Sequence, residues 1–365
     1  MKKKNYIIIG IIIILILIGI IVNVNNSKKS EDTIKIGVIV PLTGPLAEYG
    51  IAFQNGILLA KDELKADSKN IEFIFEDSQY DPKKSVSAFY KLRDTDQVDL
   101  IVDWGVATCE ADAPLVKEKP IPYIAVSIDT KVTKNSPYII RFNYSPEEFS
   151  KKTLEYLRNK NYKKIGILKS QLYYMNMIYQ EVLDQKNPDE KITLIDNVQT
   201  SETDFRSSLL KIKNSDIDIL GVFLIGGQIN QFYKQAKENN INITTFGTDF
   251  FESKPEIEAS NGLMNGIVFA NMDVSDEFII KYNNKFKTNS QLGYAGGAYD
   301  ITYMLLKKVN YKDKDTVINS LKNIKGFNGV VGNISYSESN EDRGFLIPVI
   351  LKKINNNGEI VKYTI

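Results

Sequence analysis

The carboxylates Asp129 and Asp249 each stand three residues past the end of an apolar, β-rich run, Ile121–Val126 and Ile243–Phe246. A carboxylate so placed can hold a cationic group, because ligands of open α/β sheets bind beyond the carboxyl ends of the strands. Other polar groups follow similar runs. Asp103-Trp104-Gly105-Val106-Ala107-Thr108 follows Val98–Val102, and Ser127 follows Val126. Tyr173 and Tyr174 follow Lys164–Leu168, and Gly226-Gly227 follows Ile217–Ile225. Tyr49 lies just after Pro41-Leu42-Thr43-Gly44-Pro45, which ends the first run. Hydroxyls, rings, amides at helix starts and carboxylates suit a small polar ligand with an anionic and a cationic end. Each also has a plainer use. Thr108, Asp129 and Asp249 could cap helices, the tyrosines could be half-exposed rings, and Gly226-Gly227 could be a turn.

Much other chemistry is excluded. The chain has 365 residues, no histidine and one cysteine, Cys109. That removes Ser-His-Asp and Cys-His nucleophiles, His-ligated metals and any internal disulfide. No P-loop, G-x-G-x-x-G, paired-Cys or EF-hand pattern occurs, so no cofactor and no metal are expected. The 46 basic and 45 acidic residues leave a formal charge of +1, which argues against a nucleic-acid partner. No nucleophile–base pair is visible, so an enzyme is not expected.

The elements that position these residues alternate between strand and helix. Thr33–Val40 and Ile71–Phe75 read as strands, and Val98–Val102 and Ile121–Val126 as strands buried on both faces. Helices are expected over Ala47–Leu64 and from Asp81-Pro82, where Asp caps and Pro takes the first helical position. Ser145-Pro146-Glu147-Glu148 is a capping box that opens a second series. Its strands are Lys164–Leu168, Ile217–Ile225, Ile243–Phe246 and Ile267–Ala270, with a helix over Asp204–Lys213. Helices at Asp276–Phe286, Ala298–Val309 and Thr316–Ile324 precede β-rich runs at Leu346–Ile354 and Glu359–Ile365. The fold class is α/β, with two doubly wound parallel-sheet lobes.

At the N-terminus, Lys2, Lys3 and Lys4 precede an apolar run, Tyr6–Val22, that spans about 25 Å as a helix. The positive charge should stay inside and the rest of the chain be exported. Asn23-Val24-Asn25-Asn26-Ser27 is not a small-residue cleavage site, so an uncleaved single-pass anchor in the cell membrane is expected. Residues 1–5 then form a cytoplasmic stub, 6–22 the anchor and 23–32 a tether.

In order along the chain, several segments resemble one family. Ile34–Ala60 is similar to the opening of type I periplasmic binding proteins, the branched-chain amino acid (leucine/isoleucine/valine) receptors of ABC transporters. Ile121-Pro122-Tyr123-Ile124, Tyr138-Ile139-Ile140-Arg141-Phe142, Ala298-Tyr299-Asp300 and Phe327-Asn328-Gly329-Val330-Val331-Gly332 follow in the family's order.

The resemblance implies a monomeric clamp with three crossings between lobes, near Asn143–Pro146, Asn271–Asp276 and Tyr336–Arg343. Lobe 1 would hold 33–144 and 275–338, and lobe 2 145–274 and 339–365. It implies an amino acid, amide or similar small ligand delivered to ABC permease and ATPase subunits. The alternative is a sensing ectodomain for a partner receptor. Carried over residue by residue, Tyr49 covers the ligand, and Thr108 and Ser127 meet its carboxylate. Asp129 stands where a small hydroxyl residue is common, and Tyr173 or Tyr174 is the second-lobe aromatic. Ile225 lies on the next site loop, and Asp249 holds the ligand ammonium. Asp103-Trp104 replaces small residues, so Trp104 should reshape the pocket.

Overall fold

The computed structural model describes residues 33–65, 71–339 and 342–365. The expected anchor, Tyr6–Val22, with its stub and tether, lies outside the described residues. Among the described residues no helix is long and apolar enough to cross a membrane.

The first lobe starts with β1 (Ile34–Val40), α1 (Ala47–Glu63), β2 (Ile71–Asp77), α2 (Pro82–Tyr90), β3 (Leu100–Trp104), α3 (Val106–Glu118), β4 (Tyr123–Val126) and β5 (Ile139–Asn143). These strands pair in parallel in the order β2-β1-β3-β4-β5. Every residue of β3, β4 and β5 is buried, which is why they read as continuous apolar runs. Asp81 accepts from the N–H groups of Lys83 and Lys84, and Pro82 opens α2. Gly56 of α1 lies so close to α10, introduced below, that a Cβ there would stand 2.0 Å from the Ala295 carbonyl oxygen.

The second lobe repeats the plan. It contains α4 (Pro146–Asn159), β6 (Lys164–Ser170), α5 (Tyr173–Asp184), β7 (Lys191–Val198), α6 (Arg206–Lys213), β8 (Ile219–Phe223), α7 (Ile229–Glu238), β9 (Thr245–Gly247), α8 (Lys254–Ala259) and β10 (Val268–Met272). The strand order is β7-β6-β8-β9-β10. Ser145 caps α4 by accepting from the Glu148 N–H, 3.2 Å away.

The chain then returns. In sequence come α9 (Asp276–Phe286), α10 (Leu292–Lys308) and α11 (Lys314–Lys322). Both α9 and α10 pack on α1, while α11 packs on α10. After a hairpin, β11 (Phe327–Gly329) with β12 (Gly332–Ile334), strands β13 (Tyr336–Glu338) and β14 (Arg343–Leu346) extend the first sheet beside β5. Finally β15 (Val349–Ile354) and β16 (Ile360–Tyr363) extend the second sheet beside β10.

Two expectations are corrected here. The third crossing was expected at Tyr336–Arg343, but β14 pairs in parallel with Arg141–Asn143, so the crossing falls at Ile347–Pro348. Arg343–Leu346 therefore belong with the first sheet, and Pro348, which cannot donate to a ladder, divides the run expected over Leu346–Ile354. Nor are the sheets wholly parallel, because β13–β14, β10–β15 and β15–β16 pair antiparallel.

Arg141 ties the first crossing to the start of β14. Its wholly buried guanidinium donates to the carbonyls of Ser127, Asn143 and Tyr144 at 3.2, 2.9 and 3.0 Å. It also forks onto Asp342 at 2.9 and 2.5 Å, just before β14.

Candidate functional site

The strand order reverses between β1 and β3 in one sheet and between β6 and β8 in the other. Crevices form at such points, and here the two face each other. Between the lobes lies a cavity of about 20 Å³, room for roughly one water. Tyr80, Trp104, Val126, Asn143 and Tyr294 line it from the first lobe and its returning helices, and Leu172, Tyr174 and Phe250 from the second.

Asp249 follows β9 and is fully buried. It is not a cap. Thr248 caps that turn by accepting from the Phe250 N–H. The Asp249 carboxylate instead accepts from the Tyr174 hydroxyl at 2.5 Å and, across the cleft, from the Tyr294 hydroxyl at 2.7 Å. The Tyr174 hydroxyl is also 2.9 Å from that of Tyr144, at the first crossing. Burial pushes the Asp249 carboxyl up to about 6, against the opposing pull of the two hydroxyls.

An aromatic wall surrounds this carboxylate. Tyr49 stacks on Trp104 with centroids 6.0 Å apart, packs on Phe250 at 4.7 Å and meets Tyr294 edge-on at 5.9 Å. Trp104 also meets Tyr294 at 5.3 Å and Tyr80 at 5.9 Å. The Trp104 Nε1 and the Tyr49 hydroxyl are buried without a hydrogen-bond partner in the protein. Gly105 makes the turn from β3 to α3 at φ +133°, and a Cβ there would stand 2.6 Å from the Tyr80 ring. That close approach explains glycine at the site's tightest turn.

Of the residues singled out in the sequence, Tyr49, Trp104, Tyr174 and Asp249 gather here. The others do not. Thr108 donates to the carbonyls of Trp104 and Gly105 at 3.1 and 3.3 Å, so it serves its own turn of α3. The Ser127 hydroxyl accepts from the Asp129 N–H at 3.1 Å. Asp129 caps the short turn Thr130–Asn135 by accepting from the Lys131 N–H. Tyr173 is 39% exposed, and Ile225 is buried in the second lobe's core. The alternation of α5 therefore selects Tyr174 over Tyr173. Tyr80, Phe250 and Tyr294 were not singled out. Tyr294 lies in the first turn of α10, which starts before the expected Ala298 and contains Gly293, Gly296 and Gly297, residues of low helix propensity.

Asp103 turns away from the cleft into lobe 1. It accepts from the Tyr123 hydroxyl at 2.5 Å, and Asp112, which accepts from Ser85 at 2.7 Å, lies beside it. Burial raises both carboxyls, and repulsion from Asp103 raises Asp112 further, so the pair keeps a proton. Among the described residues no group of three or more Cys, Asp or Glu could hold a metal ion.

Two facing α/β lobes, joined by three crossings around a shared cleft, define a hinged ligand-binding clamp. The chain belongs to the periplasmic binding protein family, whose model matches residues 33–358. It is a ligand-binding protein with an extracytoplasmic binding domain, and not an enzyme. It is 19% identical to the leucine-specific-binding protein of Salmonella typhimurium over 95% of this chain and 98% of that one. It is 26% identical to a Leu/Ile/Val-binding protein homolog of Brucella abortus, a match spanning 38% of this chain and only 37% of the relative. In structure it resembles the branched-chain amino acid transporter substrate-binding protein of Streptococcus pneumoniae in complex with isoleucine. The TM-score is 0.78 at 23% identity, over 91% of this chain and all of that one. It equally resembles a solute-binding protein of Rhodopseudomonas palustris in complex with 3,4-dihydroxybenzoic acid, with TM-score 0.80 at 23% identity over 91% and 96%. At such identities these likenesses establish the fold.

Proposed function

We propose that this protein captures a small polar ligand between its lobes and delivers it to the permease and ATPase subunits of an ABC transporter, held at the membrane by Tyr6–Val22. The observation that carries the reading is Asp249, a carboxylate buried where the lobes meet and reached by hydroxyls from both. A carboxylate so enclosed is suited to a ligand cation that enters the open cleft and is covered as the lobes close. The names of relatives support a small-molecule cargo, and two of them name leucine and isoleucine.

A thermal-shift screen of amino acids, amides, amines and aromatic acids tests capture, since ligand at about 100 times its Kd stabilises by roughly 2.7 kcal/mol. X-ray scattering should show the protein become more compact with a confirmed ligand. An unchanged radius would remove the clamp mechanism. Fractionation tests the tether. The full chain should stay with the membrane, and a mature N-terminus between residues 20 and 35 would make it a released receptor instead.

A further inference from the structure

Resting on the reading of the cleft as the ligand site, we propose that its ligand is a small organic amine that bears an ammonium group and no carboxylate. The ammonium sits on Asp249, and the carbon body lies against the rings of Tyr49, Trp104 and Phe250.

Charge balance is the first argument. No Lys or Arg lines the cavity, and the side chains that donate to Asp249 at 2.5 and 2.7 Å are tyrosines. A carboxylate accepts about four hydrogen bonds, so two hydroxyls leave room for ammonium donors. The cleft as closed here has room for about one water, so the lobes part to admit the ligand, and a monocation then neutralises the site. A zwitterionic amino acid pairs with Asp249 and still leaves one uncompensated negative charge among aromatic rings, which is costly.

The second argument is that the cleft gives a ligand carboxylate almost no donors. Thr108 spends its hydroxyl on the carbonyls of its own turn. Ser127 lies off the cavity wall, where its hydroxyl accepts from the Asp129 N–H, and the Asp129 carboxylate caps its own turn on the Lys131 N–H. At the start of α3 the Tyr80 hydroxyl faces the N–H groups of Val106 and Ala107, where an anion would otherwise dock. The Trp104 Nε1–H and the Tyr49 hydroxyl remain, both buried and unpartnered. Two neutral donors suit a neutral acceptor such as a hydroxyl or ether oxygen, and fall short of the hydration that a buried carboxylate gives up.

The walls supply the third argument. Tyr49, Trp104, Phe250 and Tyr294 pack with centroids 4.7 to 6.0 Å apart beside the one carboxylate. Ring faces attract a desolvated cation and accommodate its alkyl or aryl body.

Matched pairs decide the matter by calorimetry on the folded protein: phenethylamine against phenylalanine, isoamylamine against leucine, and benzoate as an acid. The amine of at least one pair should bind at least about tenfold more tightly than its amino acid, a difference of roughly 1.4 kcal/mol. Benzoate should not compete. Asp249→Asn should weaken the amine by on the order of 30-fold or more. If that variant does not fold, the matched pairs alone decide. An amino acid that equals or surpasses its amine, or the absence of binding by both amines, overturns the proposal. In the first case the cleft remains a ligand site for amino acids. If no compound of any class compacts the protein, the cleft reading falls as well.

Discussion

Tyr294, in the first turn of a helix of lobe 1, donates a 2.7 Å hydrogen bond to Asp249 of lobe 2. The bond crosses the cleft, so it exists only while the lobes are shut. Tyr294→Phe keeps the packing on Trp104 and Tyr49 and removes one hydrogen bond to a charged group, about 1.5–3 kcal/mol. The closed state should lose that energy relative to the open one. Scattering of the ligand-free variant should show a larger radius than the parent, and ligand affinity should fall about tenfold or more.

Cation binding at Asp249 should depend on pH. Its carboxyl is raised from 3.8 to about 6, while Tyr174, Tyr294 and Tyr144 are all raised well above 10 and stay protonated. The folded carboxyl holds its proton more tightly than the unfolded one, so the ligand-free fold loses stability as pH rises through that window. A bound cation reverses the sign, because it requires the ionised form. Calorimetry should show affinity level above about pH 7 and falling by up to about tenfold per unit below about pH 6.

The Asp103–Asp112 pair predicts a stabilising substitution. Both carboxyls are raised, Asp112 the more, so the fold loses stability as pH rises through the ordinary carboxylate range and beyond it. Asp112→Asn can accept from Ser85 and donate toward Asp103 without a proton to lose. Its melting temperature should vary less with pH than the parent's and exceed it on the alkaline side. A variant less stable than the parent at every pH would contradict the shared proton.

Asp342 holds the buried Arg141 beside the first crossing between lobes. Asp342→Ala leaves the guanidinium with carbonyl partners alone, and breaking such a pair should cost about 3 kcal/mol. Urea unfolding should show an earlier midpoint with an unchanged slope.

Much of the chain's architecture was legible from local pattern. Buried strands such as β3, β4 and β5 announce themselves as apolar runs because both faces are covered. Asp81-Pro82 and Ser145-Pro146 mark helix starts, because capping uses the side chain of one residue and amides two or three positions on. Asp249 was legible too, since a carboxylate just past a strand end falls in the crevice of such sheets. What tertiary structure decided was direction and partnership. Thr108 and Ser127 stand at the right places in sequence, yet their hydroxyls serve neighbouring backbone, a choice that costs nothing in local pattern. Tyr173 and Tyr174 differ by one helical step, about 100°, and only the packing of α5 on the cleft places one inside. Tyr294 lies 45 residues from Asp249, in a helix whose glycines hide its start. No periodicity links residues that meet only because two lobes close on each other.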